Sequence, residues 1–162
     1  MTSADQFQTL FAYHWEVTRR LVEAAARLSE ADYRETSSYG RGSIHEVLLH
    51  LLRTDFAWRV GLETGERPTP LASEAFPDLA SLRAGFETEA ARWREMLGRM
   101  SPAEIEGSLE LADGRGVRLP RLRWRILMHV LLHGMQHHSD IARLLTDKGQ
   151  SPGDIDFLFF QA

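Results

Sequence analysis

The sequence predicts an all-α four-helix bundle with a long crossover connection and a small β-hairpin before the last long helix. Two observations carry this prediction. Apolar residues recur at three- and four-residue steps in four long segments, which is the spacing of one helix face. Between the second and third segments, residues 65–77 hold three prolines and no periodicity. Four amphipathic helices in one small chain most simply bury their apolar faces against one another.

The first two helices are predicted from their apolar residues and their capping residues. Helix one carries apolar residues over positions 7–28, and a capping box of Ser3 and Gln6 is expected at its start. Helix two is predicted over residues 43–64, because its first residue and Glu46 form a second capping box. The connection that follows is too long for a tight reversal, so we expect it to cross over along the bundle.

The second half of the chain predicts two further helices and a hairpin. Helix three is expected over residues 79–100, followed by a short helical turn that is capped by residues 101–104. The apolar period then changes to alternation over residues 108–119, which predicts a small hairpin. Helix four is predicted over residues 124–145 and is closed by residues 148–149.

Composition and charge limit the classes of function. A chain of 162 residues is expected to form one domain over residues 1–162. Its formal net charge of -4 gives no general attraction to nucleic acid or to anionic membranes, so neither is expected as a partner. No basic, apolar leader and no long apolar run is present, which favours a cytoplasmic location. Cysteine is absent, so the chain has no disulfide, thiolate ligand or cysteine nucleophile of its own.

Helix four carries a cluster of histidines on an otherwise leucine-rich background. His129, His133 and His137 are spaced four apart, so each lies about 40° from the last and all three project from one side of the helix. His138 points away from them. A lone histidine on an apolar face is usually a satisfied core residue. Several on one face are typical of a metal site, because one divalent cation binds several imidazoles at once.

Two histidines of one helix need a third ligand from elsewhere. His50 is the best candidate, because it lies midway along helix two within an apolar stretch that gives a polar residue little other reason to be there. His45 is about 140° away around the same helix, so it is expected to be a solvated residue of the first turn.

Three stretches of the chain resemble the DinB/YfiT family: SIHEVLLHLLRTDFAW, HVLLHGMQHHSDIARLLTDKG and DIDFLFF. The resemblance extends over nearly the whole chain. It implies a four-helix bundle with a three-histidine metal site, whose ligands here are His50, His133 and His137, with His129 as a neighbour. The family usually follows its last ligand with Arg-Gly-Gln, whereas this chain has His138-Ser139-Asp140. A contact made by that arginine therefore cannot be carried over.

Three neutral imidazoles leave a divalent metal with its full charge and with at least one open coordination position, as in catalytic zinc sites. Zinc or nickel is the expected ion. It can activate either water or an external thiol. The resemblance favours transfer of a low-molecular-weight thiol such as bacillithiol or mycothiol, as a metal-bound thiolate, to an electrophilic small molecule. The alternatives are a metal-dependent hydrolase that uses bound hydroxide, and a non-catalytic, dimeric, stress-related module that binds a metal or ligand.

Other residues are assigned supporting roles. Glu46 and Asp140 are each placed to orient a ligand imidazole or to remain solvated. His129 and His14 are candidates to line the pocket, with His129 as a proton carrier, although packing roles are equally expected.

The surface offers two further features. Five arginines lie between residues 115 and 125. They form a solvated basic patch, a site for cofactor carboxylates or a weak nucleic-acid footprint, and the solvated patch is the favoured interpretation. The residues that bind such a cofactor are not identified by the sequence. The apolar run at residues 157–160 and the resemblance together predict a homodimer.

Overall fold

The computed structural model describes residues 2–38 and 41–161. Within these ranges the chain forms four long helices, two short helices and one two-stranded antiparallel sheet. Two single turns of 3-10 helix lie at Ser73–Ala75 and Phe157–Phe159. The main elements are α1 (Ser3–Ala25), α2 (Glu30–Arg34), α3 (Ile44–Thr64), α4 (Leu79–Arg99), α5 (Pro102–Glu106), β1 (Ser108–Ala112), β2 (Arg118–Leu122) and α6 (Arg123–Asp147).

The four long helices form the predicted bundle. Helices α1 and α3 each pack against both α4 and α6, so α1 lies diagonally opposite α3. Helix α1 and helix α6 run in one direction, whereas α3 and α4 run in the other. Two parallel pairs therefore pack against each other in antiparallel fashion. No helix in the described part of the chain is both long enough and apolar enough to span a membrane.

The connection between α3 and α4 crosses over along the bundle, as predicted. It leaves the hairpin end of the molecule, where the Ala112 backbone N–H donates to the Gly65 carbonyl. At mid-length Arg53 Nε donates to the Leu71 carbonyl at 2.7 Å. At the far end the Arg34 guanidinium donates to the Pro77 carbonyl. Because the connection spans the bundle, α3 and α4 can be neighbours and still run parallel.

The helix positions agree with the apolar periodicity, with two differences near the N-terminus. The capping box of α1 is formed by Thr2 and Asp5 rather than by Ser3 and Gln6. The prediction was wrong by one residue, because the pair Thr2 and Asp5 has the same three-residue spacing as the pair Ser3 and Gln6. Ser3 is the first residue of the helix and so cannot be its N-cap. The short helix α2 was not predicted. Its five residues are too few to show a period, and its N-cap, Ser29, is its clearest sequence signal.

The predicted hairpin is present. Strands β1 and β2 pair in antiparallel register, with Glu110 opposite Pro120. Asp113 closes the turn, because its Oδ1 accepts hydrogen bonds from the backbone N–H groups of Arg115 and Val117. Leu111 and Ala112 are the last two residues of β1, and this strand contacts α3. The hairpin therefore covers one end of the bundle.

The core consists of two apolar clusters separated by a layer of buried polar side chains. One cluster lies towards α2 and contains Leu21, Leu51 and Ile141 among its members. The other lies towards the hairpin and includes Phe11, Trp93 and Leu127 at its centre. Every long helix contributes polar groups to the level between them, which we call the polar layer: His14, Thr18, Asp55, Arg59, Glu89, His137 and His138.

Arg59 and Glu89 link α3 to α4 within the polar layer. The Arg59 guanidinium makes two hydrogen bonds to the Glu89 carboxylate, at 2.7 and 3.0 Å, and a third, at 2.7 Å, to Glu63. Both Arg59 and Glu89 are 4% exposed. A buried charge pair of this kind contributes little net stability when intact, but removal of one partner leaves an uncompensated charge in the interior.

We expect the Glu89→Ala variant to lose about 3–5 kcal/mol of unfolding free energy, because the Arg59 guanidinium would remain buried without its main partner. The matched control is Glu95→Ala on the same helix. Glu95 pairs with Arg99 in solvent, and such pairs contribute at most about 1 kcal/mol. Urea unfolding of both variants measures the difference. Equal losses would contradict the structural role assigned to Glu89.

Candidate metal centre

Three imidazoles converge where α3 faces α6. Nε2 of His133 lies 3.2 Å from Nε2 of His50 and 3.2 Å from Nε2 of His137. One ring nitrogen from each residue lies within 4.8 Å of those of the other two. Within the described ranges of the chain this is the one group of three or more histidine or acidic side chains placed to hold a metal ion.

The helices position these side chains directly. His133 and His137 are four residues apart on α6, so they project from the same side one turn apart. His50 reaches them from the facing surface of α3. His50 and His133 are partly exposed, whereas His137 is buried at the edge of the polar layer. The sequence reasoning named these three residues, and the structure brings them together.

Burial and nearby positive charge favour the neutral form of two of the three imidazoles. Burial, together with the positive charge of Arg41, lowers the pKa of His50 to about 4. Burial likewise lowers the pKa of His133 to about 4, with a further contribution from His137. Both rings are therefore unprotonated at neutral pH. Their lone pairs are available to a cation without competition from protons.

The donor set fits a divalent ion. Two nitrogens bound at 2.0–2.1 Å to a tetrahedral zinc are about 3.3 Å apart, close to the observed separations of 3.2 Å. Neutral imidazole nitrogens at this distance repel each other unless a proton or a cation lies between them. Three of them converging on one point are therefore a poor core arrangement and a suitable ligand set for zinc, nickel, copper or iron.

Asp140 orients His137. With Nε2 of His137 facing the other two imidazoles, its Nδ1–H donates to Asp140 Oδ2 at 3.2 Å. This contact selects the tautomer that leaves the Nε2 lone pair free. A carboxylate in this position is the usual partner of a metal-bound histidine.

Two residues of α3 do not take the roles considered for them beside the metal centre. Glu46 is turned towards the helix N-terminus, where its carboxylate accepts a hydrogen bond from the Ser43 backbone N–H at 2.7 Å. This is the capping box that the sequence predicted, and Glu46 does not orient an imidazole. His45 was expected to be solvated and is instead buried, with Nδ1 2.9 Å from the Tyr33 hydroxyl. The expectation failed because α2, which carries Tyr33, was not predicted.

The remaining two histidine candidates differ in exposure: His129 is exposed to solvent, whereas His14 is buried. His129 is exposed beside the cluster, with its ring centroid 5.9 Å from that of His133 and 5.1 Å from that of Trp58. His14 is 1% exposed in the polar layer, and its Nε2 lies 3.1 Å from Asp55 Oδ2.

The polar layer continues behind the three histidines. His138 points away from them, as predicted, and its Nε2 lies 2.9 Å from the Thr18 hydroxyl. The His14 and His138 rings have centroids 4.8 Å apart. Burial raises the pKa of Asp55, while His14 opposes that shift. The acidic group and both imidazoles are thus held in a region from which water is excluded.

Asp55 and Arg41 were missed by the sequence reasoning. Asp55 follows Leu48 and Leu52 at helical spacing, so its position on the apolar face of α3 was a usable signal. Arg41 lies in the loop before α3, and its proximity to the histidines has no counterpart in the sequence pattern.

Comparisons with known proteins agree with this fold. The model of the DinB family matches residues 1–162. YfiT from Bacillus subtilis, described as a probable metal-dependent hydrolase with an unusual four-helix bundle topology, superposes with a TM-score of 0.69 at 16% identity over 93% of this chain and 92% of its own. YjoA, a DinB-like protein from the same organism, gives 0.66 at 14% identity over 90% of this chain and 94% of its own. A search of curated proteins finds no match.

We expect Gly134→Ala to be strongly destabilising. A Cβ at Gly134 would lie 2.5 Å from Nδ1 of His14, and the buried ring has little room to move. The matched control is Gly98→Ala in α4, where a Cβ meets nothing within 4 Å. That change should stabilise the protein by about 0.5–1 kcal/mol through helix propensity. Thermal unfolding compares the two; a stabilised Gly134→Ala variant would contradict the packing described.

Proposed function

The chain belongs to the DinB family, and we propose that it is a divalent-metal-dependent enzyme whose ion is held by His50, His133 and His137. The observation that carries this proposal is the convergence of three imidazole nitrogens, with Nε2 of His133 lying 3.2 Å from Nε2 of both His50 and His137. A purely structural site would close the fourth position with another protein ligand. Among the described residues no fourth histidine or acidic side chain joins the group.

When bound, a divalent ion at this site lowers the pKa of a coordinated thiol or water and so supplies a nucleophile at neutral pH. The surrounding residues prepare the site for this chemistry. Asp140 holds the His137 ring in one orientation. The charge of Arg41, which is felt at both His50 and His133, favours an anionic reactant. His129 is accessible enough to exchange a proton with solvent.

The leading form of the proposal is transfer of a low-molecular-weight thiol to an electrophilic small molecule. Because the chain contains no cysteine, the sulfur nucleophile would come from solution. Anionic groups on such a thiol would be attracted by Arg41. The family resemblance supports the same reaction.

The second form is metal-dependent hydrolysis, with water in place of the thiol. The description of YfiT as a probable metal-dependent hydrolase favours it. The two forms share the three histidines and differ in the nucleophile, so one assay can separate them. The proposed reactants in both cases are small molecules rather than nucleic acids or membranes.

Metal analysis tests the ligand set. Protein purified without an affinity tag should contain close to one divalent metal ion per chain, and His133→Ala should lose it because two imidazoles cannot close the site. Asp140→Asn should retain all three ligands but bind zinc about 10–100-fold more weakly, because it weakens the orienting contact to His137. Elemental analysis and zinc titration measure these effects.

The control for this experiment is His129→Ala. It removes an exposed histidine from the same side of α6 and should leave the metal content unchanged. If wild-type protein is metal-free and also fails to bind added zinc or nickel, the metal proposal is wrong.

Turnover of a panel of electrophiles, with and without added thiols, identifies the nucleophile. We expect product formation that depends on a thiol and is lost in His133→Ala. Activity that persists after every small thiol has been removed would instead select hydrolysis. Metal-loaded protein that turns over no substrate with any thiol would argue for a non-catalytic binding module.

A further inference from the structure

His129 lies at the exposed end of a row of three histidines on α6. His129 is exposed, His133 is partly exposed and His137 is buried, so burial increases from one histidine to the next. Each lies four residues after the one before it, and all three project from the same side of the helix. The row therefore leads from solvent to the buried edge of the polar layer.

Two of these histidines, His129 and His133, form a pair of their own. Histidines four residues apart on one face of a helix can bind a divalent ion together, as they do in helical zinc sites. The ring centroids of His129 and His133 are 5.9 Å apart, compared with 4.5 Å for His133 and His137. This wider spacing leaves His129 outside the group of three ligands. The outer pair is thus suited to bind an ion more weakly than the three-histidine cluster does.

The His129 imidazole is available to an ion and is held beside the cluster. Neither of its ring nitrogens has a hydrogen-bond partner among the described residues. Its ring meets the Trp58 ring edge to face, with 5.1 Å between the two centroids. An exposed side chain without such a contact would sample several rotamers. Trp58 therefore keeps the His129 imidazole near His133.

Arginine side chains oppose the approach of a cation to the cluster. The charges of Arg41 and Arg53 act on His50, and Arg125 lies one turn before His129 on α6. Like charges near a site lower the local concentration of a free cation. Capture of an ion from solution therefore depends on an accessible ligand with a lone pair. Of the histidines in the row, His129 is the most accessible.

We propose that His129 is the residue through which a divalent ion enters the metal centre. It binds the ion first, together with His133, and then passes the ion to His133, His137 and His50. This inference rests on the proposed metal site. Because His133 belongs to both sets of ligands, the ion need not return to solvent between them. The His50 and His137 rings lie 5.2 and 4.5 Å from the His133 ring, so an ion bound at His133 meets them at high effective concentration.

An entry residue has a kinetic signature that distinguishes it from a permanent ligand. Because it contacts the ion only in passage, it lowers the same barrier for uptake and for release. Its removal should slow both rates by one factor and leave the dissociation constant unchanged, since that constant is the ratio of the two rates. The His129→Ala variant can therefore keep its full metal content at equilibrium and still differ from the wild type.

The kinetics of cobalt(II) uptake by the metal-free full chain test the proposal. We expect His129→Ala to take up cobalt about tenfold more slowly than the wild type and to release it to excess EDTA about tenfold more slowly, with an unchanged dissociation constant. His129→Asp restores a metal ligand at this position and should recover most of both rates. Stopped-flow absorption spectroscopy measures the rates, and an equilibrium titration measures the dissociation constant.

The matched control is Gln136→Ala, which removes an exposed polar side chain of the same helix. Gln136 is not part of the histidine row, so both rates should equal those of the wild type. Circular dichroism should show an intact fold in every variant, because positions 129 and 136 are both exposed.

Three results would overturn the proposal and leave the metal site intact. Wild-type rates of uptake and release in His129→Ala would mean that ions enter without this residue. A weaker dissociation constant with unchanged uptake would make His129 a permanent ligand. Slower uptake in Asp140→Asn but not in His129→Ala would place the entrance beside Asp140, the acidic side chain in contact with His137. A wild-type chain that takes up no cobalt would instead overturn both the metal site and this inference.

Discussion

The bundle depends on a layer of buried polar groups that every long helix must complete. His14 and Thr18 come from α1, Asp55 and Arg59 from α3, Glu89 from α4 and the His137–His138 pair from α6. Apolar side chains tolerate a shift of one helix along another at modest cost. Buried charges and imidazoles do not, because each needs its partner at hydrogen-bond distance. The polar layer therefore fixes the register of four helices whose apolar faces alone would allow several arrangements.

The histidines of α6 divide between two environments because consecutive residues of a helix point about 100° apart. His137 turns towards His50 and His133, while His138 turns into the interior to contact Thr18. Gly134, one turn earlier, leaves room for the His14 ring. The three-histidine cluster is thus attached to the polar layer through adjacent backbone positions, so ordering of the bundle also orders its imidazoles. Such support limits the movement of these side chains and favours a preformed site.

Periodicity and capping patterns predicted the four long helices, the crossover and the hairpin, because these follow from local spacing. The approach of His50 to the histidines of α6 was also predictable, since depth along two packed helices can be counted from the sequence, whereas the choice of His133 and His137 over His129 came from the family resemblance. The environments of His45 and Asp55 were not predictable. Each depends on which other element meets that helix face: α2 covers His45, whereas α1 brings His14 to Asp55. Local spacing carries no information on such long-range contacts.

The presence of His138-Ser139-Asp140, where the family resemblance implies Arg-Gly-Gln, has a structural explanation. Position 138 faces the closed interior in this chain, where His138 is fully buried and burial lowers its pKa far below the ordinary value. A neutral imidazole fits there, whereas a guanidinium would bring an unpaired charge into the bundle. Asp140, two residues later, contacts His137 directly. This segment therefore completes the polar layer and orients the His137 imidazole, and the positive charges that act on His50 come instead from Arg41 in the loop before α3 and from Arg53 within α3.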